Sequence, residues 1–289
     1  MLKMLSCIDS MELAESHRLQ LDIARTTAAA LGRSAVEAAE RGYYICQTGT
    51  KVDWSSDVQA AISGKISIPP DAPLPSHAST PFPETRVQVT NETTLGASRR
   101  LVDAGLRPLA LNFANGVHPG GGFLGGARAQ EEALCRSSAL YETLVGDQMY
   151  PEHRLRSRKD SSDWAIYSPR VPVFRSDDGS ELEHPWLLDF ITCAAPFAPD
   201  IGKSEASNLL QCRIHRILAI SQAYGHTALV LGAWGCGAFE NDTQRTALDF
   251  RKALEGEFSG AFSDVVFAIT DWSTERRFLG PFRDVFTSQ

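Results

Sequence analysis

Several functional signatures are missing from this 289-residue sequence. It has no C-x-x-C pair, no H-x-x-x-H and no Cys/His cluster, so we expect no metal site. No apolar run approaches the length of a membrane span. No signal peptide precedes the six scattered cysteines, which we expect to be reduced thiols. These absences favour a soluble cytoplasmic protein. The formal net charge of −7 argues against direct binding of nucleic acid or of an anionic membrane.

The common nucleotide-binding signatures do not explain the sequence either. There is no G-x-x-x-x-G-K-[ST] stretch, and the glycines of 112–132 are too distant from a true G-x-G-x-x-G opening. Kinases and dinucleotide-dependent dehydrogenases are therefore poor interpretations. A phosphorylated ligand remains compatible with the acidic composition, because backbone N–H groups can bind phosphate without a basic surface.

The pattern along the chain indicates two parts, 1–84 and 85–289. Residues 11–41 have helical composition, and six prolines in 66–84 exclude a helix and any central strand there. That proline-rich stretch is either a linker or a strap around the core. The second part alternates between the two element types, which predicts a largely parallel sheet between two helical layers. We expect strands at 86–90, 108–113, 165–167, 187–193, 227–231 and 264–270, and helices at 93–104, 131–145, 204–224 and 243–254.

Two glycine-rich loops follow apolar strands, at 112–132 and 232–242. The first contains Gly120, Gly121 and Gly122, whose backbone freedom allows consecutive N–H groups to point at an anion. In open α/β sheets, ligands bind beyond the carboxyl ends of the strands. Two such loops in one sheet predict a ligand with a diphosphate, held from both sides.

The second loop also leads into a helix. Gly235, Cys236 and Gly237 precede it, and we expect Asn241 to be its N-cap, with Gln244 completing a capping box. A helix N-terminus beside free loop N–H groups is an anion site.

Two carboxylates begin the helix after the first loop, in the sequence Gln130-Glu131-Glu132. Adjacent helical side chains point about 100° apart, so we expect the two carboxylates to face different atoms. One can engage ribose hydroxyls while the other addresses a glycosidic oxygen, as glycoside hydrolysis requires. A helix N-terminus lowers a carboxyl pKa, whereas a general acid must hold its proton near neutral pH. We expect the second carboxylate and a bound pyrophosphate to raise the pKa of the general acid.

The glycine triplet, seven further residues and Q-E-E together resemble the signature of the poly(ADP-ribose) glycohydrolases, particularly the microbial type. Three weaker stretches look like the same family, at 89–95, 191–196 and 232–239. The resemblance covers roughly residues 85–272, and the helical segment before it is similar to the accessory region of microbial members. It implies a macrodomain fold, a three-layer α/β/α sandwich with a mixed, largely parallel sheet and an N-terminal helical extension.

The resemblance also implies residue roles. Glu132 matches the catalytic glutamate, Glu131 the neighbour that binds the scissile-side ribose, and Asn115 an asparagine that contacts the same ribose. The remaining implied substrate-binding residues are Gly120, Gly121, Gly122 and Gln130 of the first motif and Gly235, Cys236, Gly237, Ala238 and Phe239 of the second loop. Asn241-Asp242 departs from many members, which have another glycine there. The adenine-stacking residue is not identified.

The function that the resemblance implies is hydrolysis of ribose–ribose O-glycosidic bonds in poly(ADP-ribose), releasing ADP-ribose, with no metal and no cofactor. Glu132 would protonate the leaving oxygen and then assist water capture by an oxocarbenium-like ribose. One alternative is a hydrolase of mono-ADP-ribosylated proteins. Another is a non-catalytic ADP-ribose reader, which would have no chemical reason to carry Gln130-Glu131-Glu132.

Overall fold

Alternating strands and helices make up most of the chain. A computed structural model describes residues 1–76 and 81–287. The helices are α1 Met11–Leu21, α2 Arg25–Arg41, α3 Ser55–Gly64, α4 Thr94–Asp103, α5 Gln130–Ser137, α6 Leu140–Leu144, α7 Met149–Arg154, α8 Ala198–Ile201, α9 Lys203–Ala223, α10 Thr243–Glu255 and α11 Leu279–Val285. The strands are β1 Leu2–Met4, β2 Tyr43–Ile45, β3 Lys51–Asp53, β4 Ile66–Ile68, β5 Thr85–Thr90, β6 Pro108–Ala114, β7 Ala165–Arg175, β8 Glu181–Ala194, β9 Ala228–Leu231 and β10 Asp264–Ala268.

Eight of these strands form one mixed sheet in the order β1-β5-β10-β9-β6-β8-β7-β4. Neighbours are parallel from β1 across to β8, and β7 is antiparallel to both β8 and β4. The central strands β9 and β10 are buried along their whole length, as parallel strands covered on both faces should be. The predicted largely parallel sheet is confirmed.

Helices cover both faces of the sheet. On one face, Leu109, Leu229 and Val265 belong to a core shared with α9, α10 and α11. The alternate strand residues, such as Ala110 and Val230, belong to a second core shared with α2, α4 and α5. Since successive strand residues point to opposite faces, the arrangement is the predicted α/β/α sandwich.

The N-terminal part contributes strands to both edges of this sheet. β1 pairs with β5 at one edge and β4 pairs with β7 at the other. From β4 the chain crosses α9, where Arg216 donates to the carbonyls of Pro69 and Ala72 at 2.9 and 3.1 Å. Part of the proline-rich stretch, residues 77–80, lies outside the described residues. A boundary at residue 84 stays a prediction. Within the described ranges, no helix is both long and apolar enough to cross a membrane.

Three predicted elements differ from the structure. The helix predicted at 131–145 is wrong as a single element, because the chain leaves α5 at Ser138 to pair with Val173 of β7 and resumes as α6. Ser138 is extended there, with φ −146° and ψ 172°. The short strands predicted at 165–167 and 187–193 are the paired ends of a long β7–β8 hairpin.

Candidate active site

One cavity of about 590 Å³ lies at the carboxyl ends of β5, β6, β9 and β10. Its volume is in the range of small-molecule sites. Most of its wall comes from five segments: 92–95 after β5, 113–115 at the end of β6, 128–134 around the start of α5, 233–239 after β9, and 268–273 after β10. Both predicted loops therefore meet at one edge of the sheet, as its parallel order requires.

Gln130 joins α5 to the end of β6. Its side-chain oxygen accepts from Phe113 N at 2.9 Å, and its nitrogen donates to Leu111 O at 2.7 Å and to Thr94 Oγ1 at 3.0 Å. Both polar atoms of this side-chain amide are thus hydrogen-bonded within the protein. Gln130 fixes the first turn of α5 against the sheet, and with it the two carboxylates that follow.

Glu131 is 3% exposed and held by donors of the β6 end and the first loop. Its Oε2 accepts from Asn115 N at 2.7 Å and its Oε1 from Asn112 Nδ2 at 3.3 Å. Burial raises the pKa of Glu131 from 4.5 to about 8, and the neighbouring Glu132 carboxylate adds to that, although the Asn115 N–H opposes it. Glu131 therefore prefers its protonated form near neutral pH.

Glu132 has one carboxylate oxygen bonded and one without a partner. Oε1 accepts from Gly122 N at 3.0 Å. Oε2 is buried and has no hydrogen-bond partner among the described residues. A buried oxygen without a partner is costly in a structural role, and Glu142 Oε1 shares this property outside the cavity. Glu132 differs because it lines the cavity, where a ligand or reacting group can bond to its Oε2.

Gly121 lies between the two carboxylates. Its φ is +59°, which favours glycine, and a Cβ there would collide with Glu132 Oε1 and lie 3.0 Å from Glu131 Oε2. The two carboxylates accept from different donors, as expected, yet both lie close to this one backbone position. The reason is that the first loop folds back over the start of α5.

The first loop does not present three free N–H groups to an external anion, as its glycines suggested. Gly121 N donates to His118 O at 3.0 Å, Gly122 N is bonded to Glu132, and the N–H of Gly120 faces the Glu131 carboxylate. The anions that this loop meets are the protein's own carboxylates. Gly120, Gly121 and Gly122 lie behind these two side chains, outside the wall of the cavity.

The second loop does present free donors. The N–H groups of Gly235, Gly237, Ala238 and Phe239 have no acceptor among the described residues, and all four residues line the cavity. Gly235 has φ +75°, and a Cβ there would lie 2.6 Å from Ala195 Cβ. Four free N–H groups in one turn form an anion-binding concavity.

Asn241 holds this loop in shape. Its side-chain nitrogen donates to Pro196 O at 2.9 Å, Gly235 O at 3.1 Å and Phe239 O at 3.4 Å. The predicted N-cap role of Asn241 is wrong: Asp242 caps α10, accepting from Arg245 N at 2.9 Å. The sequence places a short polar residue at both positions, and only the folded loop distinguishes them.

Comparison with known proteins agrees with this geometry. A family model described as microbial-type PARG, catalytic domain, matches residues 32–176. The crystal structure of poly(ADP-ribose) glycohydrolase (PARG) from Thermomonospora curvata is 40% identical, with a TM-score of 0.86, over 90% of this chain and 99% of that one. The chain belongs to the microbial-type poly(ADP-ribose) glycohydrolase family.

Other PARG structures also match. The T. curvata PARG bound to the inhibitor ADP-HPD is 39% identical, with a TM-score of 0.82, over 90% of this chain and 99% of that one. The PARG from Deinococcus radiodurans in complex with ADP-ribose is 37% identical, with a TM-score of 0.71, over 79% of this chain and 96% of that one. A search of curated proteins finds no match.

In this PARG family member, Asn115 and Phe239 face the cavity from opposite loops. Asn115 Oδ1 accepts from the N–H groups of Val117 and His118 at 2.9 and 3.0 Å, which leaves its side-chain nitrogen without an acceptor among the described residues. Phe239 packs edge-on against Phe197, with 5.6 Å between ring centroids.

Within 233–239, Cys236 is the residue that does not line the cavity. Its Sγ is buried and donates to Trp234 O at 3.5 Å, and burial raises its thiol pKa to about 11. Its backbone N–H is bonded to Ala233 O at 3.1 Å. The thiol is a small buried side chain that packs beneath the loop.

One wall of the PARG cavity was not predicted from the sequence. It is formed by Leu21, Glu92, Asp177 and the loop 271–278. Asp177 is at the tip of the β7–β8 hairpin and reaches the cavity through a 2.6 Å hydrogen bond from Thr93. No apolar period or glycine motif marks these positions. They come together because the hairpin and the N-terminal helices fold over the sheet.

Proposed function

We propose that the protein hydrolyses ribose–ribose O-glycosidic bonds of poly(ADP-ribose) and releases ADP-ribose, with Glu132 as general acid and base. The observation that carries this proposal is the unpartnered Oε2 of Glu132 in a cavity large enough for a nucleotide, in a chain of the PARG family. The relatives bound to ADP-ribose and to ADP-HPD support ADP-ribose as the ligand.

Glu132 carries out both proton transfers in this mechanism. In the first step its protonated Oε2 gives a proton to the glycosidic oxygen while the bond from that oxygen to the ribose C1 breaks. The ribose takes on oxocarbenium character, and the leaving ribose keeps the proton as a hydroxyl. In the second step the Glu132 carboxylate removes a proton from water as the water oxygen bonds to C1. The N–H of Gly122 keeps Oε1 oriented, so that the other oxygen faces the substrate.

Glu131 and Asn115 are proposed to hold the scissile-side ribose. Protonated Glu131 can donate to a ribose hydroxyl, and the free side-chain nitrogen of Asn115 can donate to another. The proposed contribution of Gln130, Gly120, Gly121 and Gly122 is indirect, because these residues fix the positions of the Glu131 and Glu132 carboxylates.

The second loop is proposed to bind the diphosphate. Its four free N–H groups supply donors, with no basic side chain needed. Phe239 offers an aromatic edge to the adjacent ribose, and Cys236 contributes through packing alone.

The decisive experiment gives the purified protein two substrates: defined poly(ADP-ribose) and singly ADP-ribosylated protein. Chromatography of the products should show ADP-ribose released from polymer. Release from modified protein alone would favour the mono-ADP-ribosyl hydrolase. Tight ADP-ribose binding without any release would favour the reader. We also propose a cytoplasmic location, which the six free cysteines support.

A further inference from the structure

The N-terminal segment runs along β5 to the edge of the cavity. Leu5 N donates to Val87 O at 2.8 Å, Ile8 N to Val89 O at 3.1 Å, and Asn91 N to Ile8 O at 2.7 Å. These backbone bonds carry the segment past the short strand β1 to the carboxyl end of β5. The next residue, Asp9, therefore lies beside the loops that bind the ligand.

Asp9 makes a charged contact to the loop after β10. Its Oδ2 accepts from Arg276 Nε at 2.8 Å, and its Oδ1 from Asn91 Nδ2 at 2.8 Å. Arg276 is 7% exposed and also donates to Ser273 O at 2.8 Å and Ser10 O at 3.2 Å. Burial works to raise the pKa of Asp9, but the Arg276 and Asn91 donors outweigh it and lower that pKa. Asp9 is thus an anion at neutral pH, paired with a buried cation.

Among the described residues 272–277, only Arg276 is hydrogen-bonded to the N-terminal segment, whereas the other bonds of this loop close it on itself or join Asp271 to Asn91. Asp271 accepts from Ser273 N at 3.0 Å, Phe278 N at 2.7 Å and Leu279 N at 3.0 Å, which closes the loop at its two ends. Between them, Arg276 has φ +51°, a left-handed conformation that residues other than glycine rarely adopt. Such a conformation persists where surrounding contacts determine it. The Arg276 side chain makes its contacts to Asp9, Ser10 and Ser273, and also to Met11 Sδ at 3.6 Å.

This loop is part of the wall of the cavity, through Asp271, Trp272, Ser273 and Phe278. We propose that Asp9 is a positioning residue for substrate binding, which holds the wall 271–278 in its binding conformation through Arg276. We refer to the contact between these two side chains as the Asp9–Arg276 clasp. The inference rests on ADP-ribose as the ligand of the cavity. It assigns to the N-terminal segment a part in forming the binding site, at a distance from the reacting carboxylates.

The test compares Asp9→Asn with Asp264→Asn, each by calorimetric affinity for ADP-ribose and by steady-state kinetics on polymer. Asp264 accepts a bidentate pair of hydrogen bonds from Arg86 at 2.8 and 2.9 Å, and joins the same two strands, β5 and β10, at their amino ends. It controls for the loss of stability alone. We expect Asp9→Asn to raise Kd and KM about tenfold, because apparent affinity falls with the fraction of molecules whose wall is in place. The kcat should stay within about twofold, since the reacting groups are untouched.

A local readout and a second variant complete the test. Amide exchange at Phe278 and Leu279 should be faster in Asp9→Asn than in Asp264→Asn. If Asp9→Asn does not fold, Arg276→Gln should give the same rise in Kd, because it removes the guanidinium that bonds Asp9 together with its contacts to Ser273 O and Ser10 O. Unchanged Kd in a folded variant of either residue would overturn the clasp. Absence of ADP-ribose binding by the parent protein would overturn the proposed function with it, so the two failures are distinguishable.

Discussion

The backbone N–H of Gly122 donates to Glu132 Oε1 at 3.0 Å, while the other oxygen of the same carboxylate has no partner among the described residues. One carboxylate therefore has a fixed and a free oxygen. A general acid needs both features, since the fixed oxygen sets the orientation and the free one transfers the proton. The first glycine loop contributes to catalysis in this way, by holding a carboxylate.

Gly121→Ala should lower kcat strongly and change ADP-ribose affinity much less. A Cβ at Gly121 displaces the Glu132 carboxylate, and the positive φ disfavours alanine. A misplaced catalytic group costs on the order of 10²-fold in rate. Gly125→Ala is the matched control, because its Cβ would meet nothing within 4 Å and its φ is not positive. Equal kcat for both variants, measured on polymer, would contradict this account of the loop.

Gly235→Ala should weaken ADP-ribose binding. Its Cβ would lie 2.6 Å from Ala195 Cβ and 2.7 Å from Asn241 Nδ2, so the turn must open and its N–H groups move. Gly146→Ala shares the positive φ but would meet nothing within 4 Å, and controls for backbone strain alone. Calorimetry should show a raised Kd for the first variant, with the second close to the parent. The same Kd for both would mean that the shape of this turn is not required for binding.

Asn241→Asp should weaken binding more than Asp242→Asn does. The aspartate loses the donor to three carbonyls and brings a negative charge against them. Asp242 only caps α10, and asparagine caps a helix about as well as aspartate, so Asp242→Asn should leave both Kd and Tm close to the parent values. Measured Kd for ADP-ribose and Tm distinguish the two variants. If Asp242→Asn raised Kd more than Asn241→Asp, Asn241 would not be the residue that holds the second loop in its binding shape.

Glu131→Gln should remove a pH dependence of stability. The pKa of Glu131 is raised from 4.5 to about 8, so the native state binds more protons than the unfolded chain between those values. Stability from this group is therefore full below about pH 4.5 and decreases as the pH rises toward 8, by an amount on the order of a few kcal/mol. Chemical denaturation of parent and Glu131→Gln from pH 5 to 9 should show that the free energy of unfolding of the parent decreases relative to that of the variant as the pH rises. A constant difference would rule out the raised pKa.

The sequence predicted the layers of the fold because its strands and helices carry clear periods. It also predicted that Glu131, Glu132, Asn115 and the second loop share one site, since parallel strands end at one edge. The end of α5 was not predictable, because Ser138 leaves the helix to pair with β7, a contact between distant parts of the chain.

Contacts between distant parts of the chain also explain why other features of the site were not predicted. Asp9 and Arg276 are 267 residues apart and meet only in the folded chain. Local sequence gives no sign that the N-terminal segment reaches the ligand cavity. The use of the Gly122 N–H by Glu132 was equally hidden, since free and engaged glycine loops have the same sequence signature.

The most direct test of the mechanism is the turnover of Glu132→Gln on poly(ADP-ribose), measured beside calorimetric affinity for ADP-ribose. Glutamine keeps the size and the bond from Gly122 but cannot transfer the proton. The same change at Glu142, a half-buried carboxyl outside the cavity wall, is the control. We expect Glu132→Gln to lose about 10³-fold or more in turnover, roughly 4 kcal/mol, while its affinity changes far less. Near-parental turnover of Glu132→Gln would contradict the assignment of Glu132 as the general acid and base.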